Sequence, residues 1–104
     1  MNDAVVVLCT CGKENEALKI ANAVIEERLA ACANVLPPLQ SVYRWQDKIE
    51  TAQEILILIK TTREHFPAVR DRLAELHTYD TPEIVALPII DGSEKYLAWL
   101  REQV

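Results

Sequence analysis

The segment from Ser41 to Thr62 constrains the fold of this chain most, because it reads as two long strands joined by a short polar turn. Its first arm is rich in residues that favour β-strands. Its second arm holds the unbroken aliphatic run Ile55–Ile59, which is typical of a strand buried on both faces. We place the turn near Asp47–Gln53. Each arm of about ten residues would then span roughly 33 Å, at about 3.3 Å per residue.

A hairpin of that length is hard to cover within one small domain. A compact chain of 104 residues has an expected radius of gyration of about 13 Å, so each arm approaches the full width of the domain. The aromatic side chains of Tyr43 and Trp45 and the strand edges would stay open to solvent unless a partner covered them. The pattern therefore predicts an oligomer, and the simplest partner is another copy of the same chain.

Composition limits the classes to which this chain can belong. The length of 104 residues and a hydrophobic content of 50% suit one domain over residues 1–104 with a well-formed core. A net charge of −5 disfavours nucleic acid and an anionic membrane surface as partners. No apolar run reaches the length of a membrane span or a secretory signal. The three cysteines indicate free thiols in a reducing cytosol, so we expect a cytoplasmic protein.

Hydrophobic periodicity predicts the elements before the hairpin. The apolar run Ala4–Thr10 predicts a buried strand, and apolar residues spaced by three and four predict a helix over Lys13–Cys32. A second strand begins near Asn34–Leu36 and meets Pro37 and Pro38, which favour a bulge or an edge position.

Two helices and a last strand follow the hairpin. We predict a helix over Thr62–Leu76 with Pro67 in its first turn, a strand over Glu83–Ile90, and a terminal helix capped by Ser93 and ending near Arg101. This order describes an α+β, ferredoxin-like split βαβ sandwich (βαββαβ plus a C-terminal helix), in which the second and third strands form the long hairpin.

Cysteine and histidine supply the candidate metal ligands. Cys9 and Cys11 lie two apart on the first strand, so their side chains share a face and two thiolates could bind Cu(I), or zinc with a histidine. Packing as small hydrophobic side chains is the alternative, and we favour it for Cys11. Cys32 and His77 each end a predicted helix. For Cys32 we favour a structural role at the helix end. His77 is either a structural residue at a helix end or a ligand of copper or zinc.

A second group of candidates surrounds the hairpin and consists of Tyr43, Trp45, Glu54, Lys60, Tyr79 and Glu83. Glu54 and Lys60 are six apart, so a regular strand would put both on the apolar face of Leu56 and Leu58. Charges on such a face either lie in solvent at opposite strand ends or pair across an interface. Interface contacts and a small-ligand site are both open interpretations, and we favour the interface.

Several functional signatures are absent from the sequence. There is no Gly-rich phosphate loop and no readable nucleophile–base pair. The spacing of Cys9 and Cys11 differs from the Met-x-Cys-x-x-Cys motif of copper chaperones with this fold. The strands lack the aromatic platform with flanking basic residues that an RNA-recognition motif needs.

Four segments in register resemble the CutA divalent-cation-tolerance family. They are Arg28–Asn34, the hairpin from Ser41 to Thr62, His77–Glu83, and Leu87–Ile89 followed by Gly92 and Tyr96–Leu100. Thr78 stands where the family usually has proline, a difference that removes no candidate ligand.

The resemblance implies a PII-like homotrimer of ferredoxin-like subunits that binds copper or another divalent metal ion in the response to metal ions. Binding rather than catalysis is implied. The resemblance favours Cys9 and His77 as metal ligands, keeps Cys32 as a reserve, and places the second group in clefts between subunits. Because Cys9 and His77 need not be adjacent within one subunit, trimer contacts could bring them together.

Three alternatives to a metal-binding protein remain. The first is a PII-like small-ligand signalling trimer. The second is an enzyme with an inter-subunit site that uses Lys60, Tyr79 and Glu83, where a dry cleft would shift pKa values. The third is a scaffold whose assembly is its function.

Overall fold

The computed structural model describes residues 3–104 and contains five strands and three helices in that range. They are β1 (Ala4–Cys11), α1 (Glu14–Glu26), β2 (Cys32–Val35), β3 (Leu39–Trp45), β4 (Lys48–Thr62), α2 (Phe66–Leu76), β5 (Ile84–Pro88) and α3 (Glu94–Glu102). The strands form one antiparallel sheet in the order β2-β4-β1-β5, and β3 also pairs with β4. The predicted α+β, ferredoxin-like class is confirmed.

Pro37 and Pro38 interrupt the second strand, as predicted, but instead of a bulge they separate it into β2 and β3, so residues 3–104 contain five strands rather than the predicted four. β2 pairs with residues 57–60 of β4, and β3 pairs with residues 48–54 of the same strand. The backbone N–H of Leu36 still donates to the carbonyl of Leu56 at 3.0 Å. The ladder stops at the prolines because proline has no N–H to donate.

The hairpin turn is tighter than the predicted turn near Asp47–Gln53, and that prediction was wrong in extent. Trp45 pairs directly with Lys48, so only Gln46 and Asp47 form the turn. Their φ angles are 50° and 64°, the left-handed conformation that a two-residue hairpin turn needs to match strand twist. The polar residues that follow belong to β4, which is 15 residues long. Pairing with β3 overrides their weak strand propensity.

The first helix ends at Glu26, six residues before the predicted end at Cys32. Arg28 adopts a left-handed conformation with φ 57°, and the N–H of Leu29 donates to the carbonyl of Val24 at 2.9 Å. This is a Schellman end, which usually contains glycine. Because arginine occupies the position, the sequence carries no stop signal there. Cys32 consequently begins β2 instead of ending α1.

The second helix begins at Phe66 rather than at the predicted Thr62, because Thr62 stays in the sheet opposite Ala4. The side chain of Thr62 hydrogen-bonds His65, which precedes the helix, at 2.7 Å. Pro67 lies in the first turn, as predicted, where its missing N–H costs nothing.

The C-terminal part of the chain matches the prediction with a shorter last strand. β5 is limited to Ile84–Pro88 because only these residues pair with β1. The N–H of Ile89 makes one further bond to the carbonyl of Ala4 at 3.0 Å before the chain leaves the sheet. Ser93 caps α3, as predicted, by accepting the N–H of Tyr96 at 3.3 Å.

The two faces of the sheet differ in what covers them. The covered face packs against α1 and α2 and carries the core side chains Val5, Val7, Cys9, Cys11, Ile55, Ile57 and Ile59. The opposite side, here called the open face, carries Val6, Leu8, Thr10, Leu56, Leu58, Lys60, Val85 and Leu87. α3 covers only the end of the open face near Ala4.

The aliphatic run of β4 is buried on one face and half-open on the other. Ile57 and Ile59 are fully buried, whereas Leu56 and Leu58 are only partly covered by this chain. The hairpin projects beyond the sheet, so the chain measures 44 × 26 × 24 Å. Its radius of gyration is 14.2 Å, above the value of about 13 Å for a compact chain of this length. Trp45 and Ile49 on the hairpin are 54% and 71% exposed.

Candidate functional site

The first candidate site is a buried thiol–imidazole cluster formed by Cys9, Cys11 and His77. The two cysteines come from the covered face of β1, and His77 follows directly after α2. Their ligand atoms all lie within 4.8 Å of one another, and all three residues are buried. Soft and borderline donors are therefore grouped within a single chain.

This arrangement differs in two ways from the predicted ligand set. Cys9 and His77 meet within one subunit, so no trimer contact is needed to bring them together. Cys32 does not join them: it lies opposite Lys60 on the open face, while Cys9 lies opposite Ile57 on the covered face. Cys11, for which we favoured packing alone, takes the third position.

Hydrogen bonds determine the tautomer of His77. Its Nδ1 accepts the backbone N–H of Tyr79 at 3.0 Å, so Nδ1 carries no proton. Nε2 therefore carries the proton and donates it to the carbonyl oxygen of Thr10 at 2.7 Å. These two hydrogen bonds hold the ring between two elements. Any ion that His77 binds must displace one of these hydrogen bonds.

The two thiols interact with each other. The hydrogen bond to Cys11, followed by burial, raises the pKa of the Cys9 thiol above its ordinary value. The hydrogen bond from Cys9 lowers the pKa of the Cys11 thiol. Thiolates rather than thiols bind metal, so metal binding here must release protons.

The donor set of the cluster suits a soft or borderline ion. Thiolate and imidazole are ligands of copper and zinc, whereas Mg²⁺ and Ca²⁺ prefer oxygen. Cys9, Cys11 and His77 would hold such an ion and supply charge neutralisation and a water-poor environment. Thus the residues fit a soft metal ion.

The second candidate site is the hairpin pocket, a cavity of about 600 Å³ at the base of the hairpin. Its walls come from β1, β3, β4 and the segment that follows α2, and they are formed by Thr10, Ser41, Val42, Tyr43, Trp45, Glu54, Tyr79, Asp80, Thr81 and Glu83. Five of the six residues predicted for this group line it. The sixth, Lys60, lies farther along β4, where it contacts Asn34.

Glu54 and Tyr79 form the floor of the hairpin pocket. Glu54 is only 8% exposed, and its Oε2 accepts the hydroxyl of Tyr79 at 2.8 Å. Burial and the neighbouring carboxylate raise the pKa of Tyr79 to about 12, so its hydroxyl stays protonated as a donor at neutral pH. Gly12 permits the close approach, because a Cβ there would lie 3.1 Å from the Tyr79 hydroxyl.

Tyr79 joins the two sites. Its backbone N–H contacts His77 in the thiol–imidazole cluster, while its hydroxyl contacts Glu54 in the hairpin pocket. The rings of His77 and Tyr79 also lie 4.8 Å apart, centre to centre. A displacement of His77 would therefore move Tyr79 and change the shape of the hairpin pocket.

Sequence reasoning missed several residues of the two sites. Ser41 had a usable signal, because alternation along β3 puts it on the same side as Tyr43 and Trp45. Thr10 and Asp80 carried none, since tertiary packing alone brings them to the pocket. Glu16, at 11% side-chain exposure, accepts the N–H of the Thr78 backbone at 2.8 Å.

The Thr78 contact gives a physical meaning to one difference between this chain and the family that it resembles. Proline, which usually occupies that position in the related family, has no N–H. Thr78 therefore makes a bond to Glu16 that the usual residue could not make. This bond ties the segment before Tyr79 to the first turn of α1.

Within residues 3–104, the antiparallel sheet of five strands and the three helices define an α+β protein of the ferredoxin-like, PII-like class. Residues 5–103 match the model of the family described as CutA1 divalent ion tolerance protein. The chain belongs to this family.

Individual relatives agree with that assignment. The chain is 54% identical to the divalent-cation tolerance protein CutA of Thermus thermophilus over 97 residues, which cover 93% of this chain and 94% of the relative. A solved Cut A1 structure from the same species is similar with a TM-score of 0.95 and 51% identity, covering 97% of this chain and 98% of that one. The structure titled periplasmic divalent cation tolerance protein CutA from Archaeoglobus fulgidus has a TM-score of 0.93 and 38% identity, covering 96% and 97%.

No helix within residues 3–104 is both long enough and apolar enough to cross a membrane.

Proposed function

We propose that this chain acts in metal-ion tolerance by binding copper, as Cu(I), at the thiol–imidazole cluster. The observation that carries the proposal is the convergence of Cys9, Cys11 and His77 within 4.8 Å. Two thiolates and an imidazole favour a soft ion, and soft thiolate ligands select Cu(I). Binding, without turnover, is the activity proposed.

The hydrogen bonds of the cluster predict how this binding depends on pH. Cys9 and Cys11 must lose protons, and the raised pKa of Cys9 makes that loss costly. Copper affinity should therefore rise with pH. His77 joins the ion only by giving up its bond to Tyr79 or to Thr10, so copper binding should also alter the surroundings of Tyr79.

We further propose a cytoplasmic homotrimer. The apolar open face and the exposed hairpin support an obligate assembly, because Val85 and Leu87 are 45% and 47% exposed in the single chain. The family resemblance supports three copies. Three free cysteines support a reducing compartment. Light scattering should give a mass near three chains at low micromolar concentration, and a monomer would contradict the assembly.

The copper proposal is tested by competition with a Cu(I) chelator. The wild type is compared with Cys9→Ser and Cys11→Ser, and Cys32→Ser serves as the control because Cys32 lies on the open face. We expect each cluster variant to lose at least about tenfold in affinity, because removing one ligand weakens a metal site strongly. Cys32→Ser should bind as the wild type does.

Two outcomes would contradict copper binding at the cluster. Equal affinity in all variants would remove the site, and a loss confined to Cys32→Ser would move binding to the open face. His77→Ala separates imidazole ligation from thiol chemistry, provided that circular dichroism shows an intact fold. Retained affinity in His77→Ala would leave the two thiols as the only ligands.

An enzyme that uses Lys60 with Tyr79 and Glu83 finds less support. Tyr79 and Glu83 line the hairpin pocket, but Lys60 of the same chain is directed to Asn34. Such a site would need Lys60 from another copy.

A further inference from the structure

We infer that the hairpin pocket binds an aliphatic polyamine, a flexible ligand with several separated ammonium groups. The inference does not rest on copper binding, because the hairpin pocket contains none of the three cluster residues. Four observations support it. They are the acidic charge of the pocket walls, the burial of Glu54 without a cationic partner among the described residues, the aromatic side chains, and the spacing of the carboxylates.

The walls of the hairpin pocket are acidic. Glu54, Asp80 and Glu83 line the cavity, and no Lys, Arg or His is among its lining residues within the described chain. A cleft lined by one sign of charge concentrates ions of the opposite sign. The cavity therefore favours a cation.

Glu54 is a buried acid without a cationic partner. Its side chain accepts one hydrogen bond, from Tyr79 to Oε2, and in residues 3–104 no Lys or Arg forms an ion pair with it. A buried carboxylate is costly unless it is paired. An ammonium group in the pocket would supply the missing opposite charge.

Aromatic side chains provide the apolar part of the pocket. Tyr43 and Trp45 project from the same side of β3, and Tyr79 closes the floor. Aromatic faces attract ammonium groups and also cover methylene chains. The hydroxyls of Ser41 and Thr10 can accept hydrogen bonds from ammonium donors.

The spacing of the carboxylates argues for several charges on one ligand rather than one metal ion. Among the described residues, the acids of the pocket do not converge into a group that could hold a single ion. The volume of about 600 Å³ also exceeds what one ion needs and lies within the range of organic-ligand sites. Separated ammonium groups on a flexible chain match separated carboxylates.

Isothermal titration of the assembled protein with spermidine tests the inference. The controls are an uncharged diol of similar length and Mg²⁺. We expect spermidine to bind and both controls to fail. If Mg²⁺ binds with similar affinity, the pocket is a metal-ion site and not a polyamine site. If neither spermidine nor Mg²⁺ binds, the inference is wrong. A basic side chain from another copy seated in the pocket would give that last result.

Matched variants locate the binding. Glu54→Gln and Glu83→Gln should each lose about tenfold in spermidine affinity, since each removes a charge from the wall. Glu50→Gln is the control, because Glu50 is exposed on the same strand but does not line the pocket. Equal losses in all three would show general charge attraction and refute the site. If Glu54→Gln fails to fold, exposed Glu83 still decides the test.

The result is distinguishable from the copper proposal. Cys9→Ser should keep spermidine binding, and Glu54→Gln should keep copper binding at the cluster. Loss of spermidine binding in Cys9→Ser would contradict an independent pocket.

Discussion

The two faces of the sheet are built from the same strands but differ in how fully this chain buries their side chains. On the covered face, β4 contributes Ile57, which is fully buried against helices of its own chain. On the open face the next residue, Leu58, is only partly covered. The covered face forms a core within one chain, whereas the open face is left partly exposed. If the proposed assembly covers the open face, alternate residues of β4 contribute to stability and to assembly.

The largest expected effect comes from Ile57→Ala compared with Leu58→Ala. Ile57→Ala should lower the free energy of unfolding by about 3 kcal/mol, the usual cost of a cavity in a closed core. Leu58→Ala should weaken assembly instead, because its side chain faces the open side. Denaturant unfolding at several protein concentrations separates the two effects.

The concentration dependence is the decisive readout of that pair. Loss of stability in Leu58→Ala should grow as the protein is diluted, whereas the loss in Ile57→Ala should change little. Equal, concentration-independent losses would mean that both faces are closed within one chain.

Trp45→Ala tests the hairpin, which projects beyond the rest of the sheet. Trp45 is 54% exposed in the single chain, so it contributes little to its own core. If it is a subunit contact, its truncation should weaken assembly by about 2 kcal/mol while secondary structure is retained. Light scattering and circular dichroism give the two readouts. A variant that unfolds but whose folded fraction stays assembled would assign Trp45 to one subunit.

Tyr79→Phe has a smaller effect, which depends on pH. Removing the hydroxyl should cost about 1 kcal/mol, because Glu54 loses the hydrogen bond that this hydroxyl donates. Folding raises the pKa of Tyr79 from 10.0 to about 12, so its contribution is complete below pH 10 and is lost as the pH rises through about 12.

Alkaline unfolding of the wild type and Tyr79→Phe measures this contribution. At alkaline pH, Tyr79→Phe should lose less stability than the wild type does. Tyr43→Phe is the control, since Tyr43 lines the same pocket while the hydroxyl bonded to Glu54 is that of Tyr79. An alkaline profile that is the same in Tyr79→Phe and the wild type would show that the bond to Glu54 does not contribute.

Glu16→Gln, with exposed Glu14→Gln as its control, has the smallest expected effect. Burial opposes ionisation of Glu16, but hydrogen bonds from Thr78 outweigh it and lower the pKa of the carboxyl. Its contribution is therefore present above the ordinary pKa of 4.5 and is lost as the pH falls through the lower value in the folded chain. Acid unfolding should show a loss below about 1 kcal/mol in Glu16→Gln only. If Glu16→Gln and its control have the same acid-unfolding profile, the hydrogen bonds from Thr78 to Glu16 do not contribute to stability.

Local patterns predicted the fold well where one residue type determines the backbone. Pro67 marked the first turn of α2, and Ser93 marked the cap of α3. Prediction failed where tertiary structure imposes an unusual conformation on an ordinary residue. Arg28 ends α1 without glycine, and Gln46 with Asp47 forms the hairpin turn without the Asn-Gly or Asp-Gly signal.

The candidate sites divide in the same way. Strand alternation placed Cys9 and Cys11 on one face, a consequence of local geometry that the sequence alone determined. Only the tertiary structure decided that His77 joins them, and that Cys32 lies on the other face. Lys60 and Glu54 share a face, as predicted, yet only Glu54 reaches the pocket.

The sequence by itself determined the family from its motifs, and it determined the order of elements from short-range periodicity, apart from the separation of β2 from β3. It did not show that the run Ile55–Ile59, expected to be buried on both faces, is closed on one face only. The tertiary structure decided which distant residues meet: Tyr79 between His77 and Glu54, and Thr78 against Glu16. Such contacts depend on how helices pack on the sheet and where chain segments cross its end. No pattern of neighbouring residues encodes which distant residues meet, because these contacts result from packing the whole chain at once.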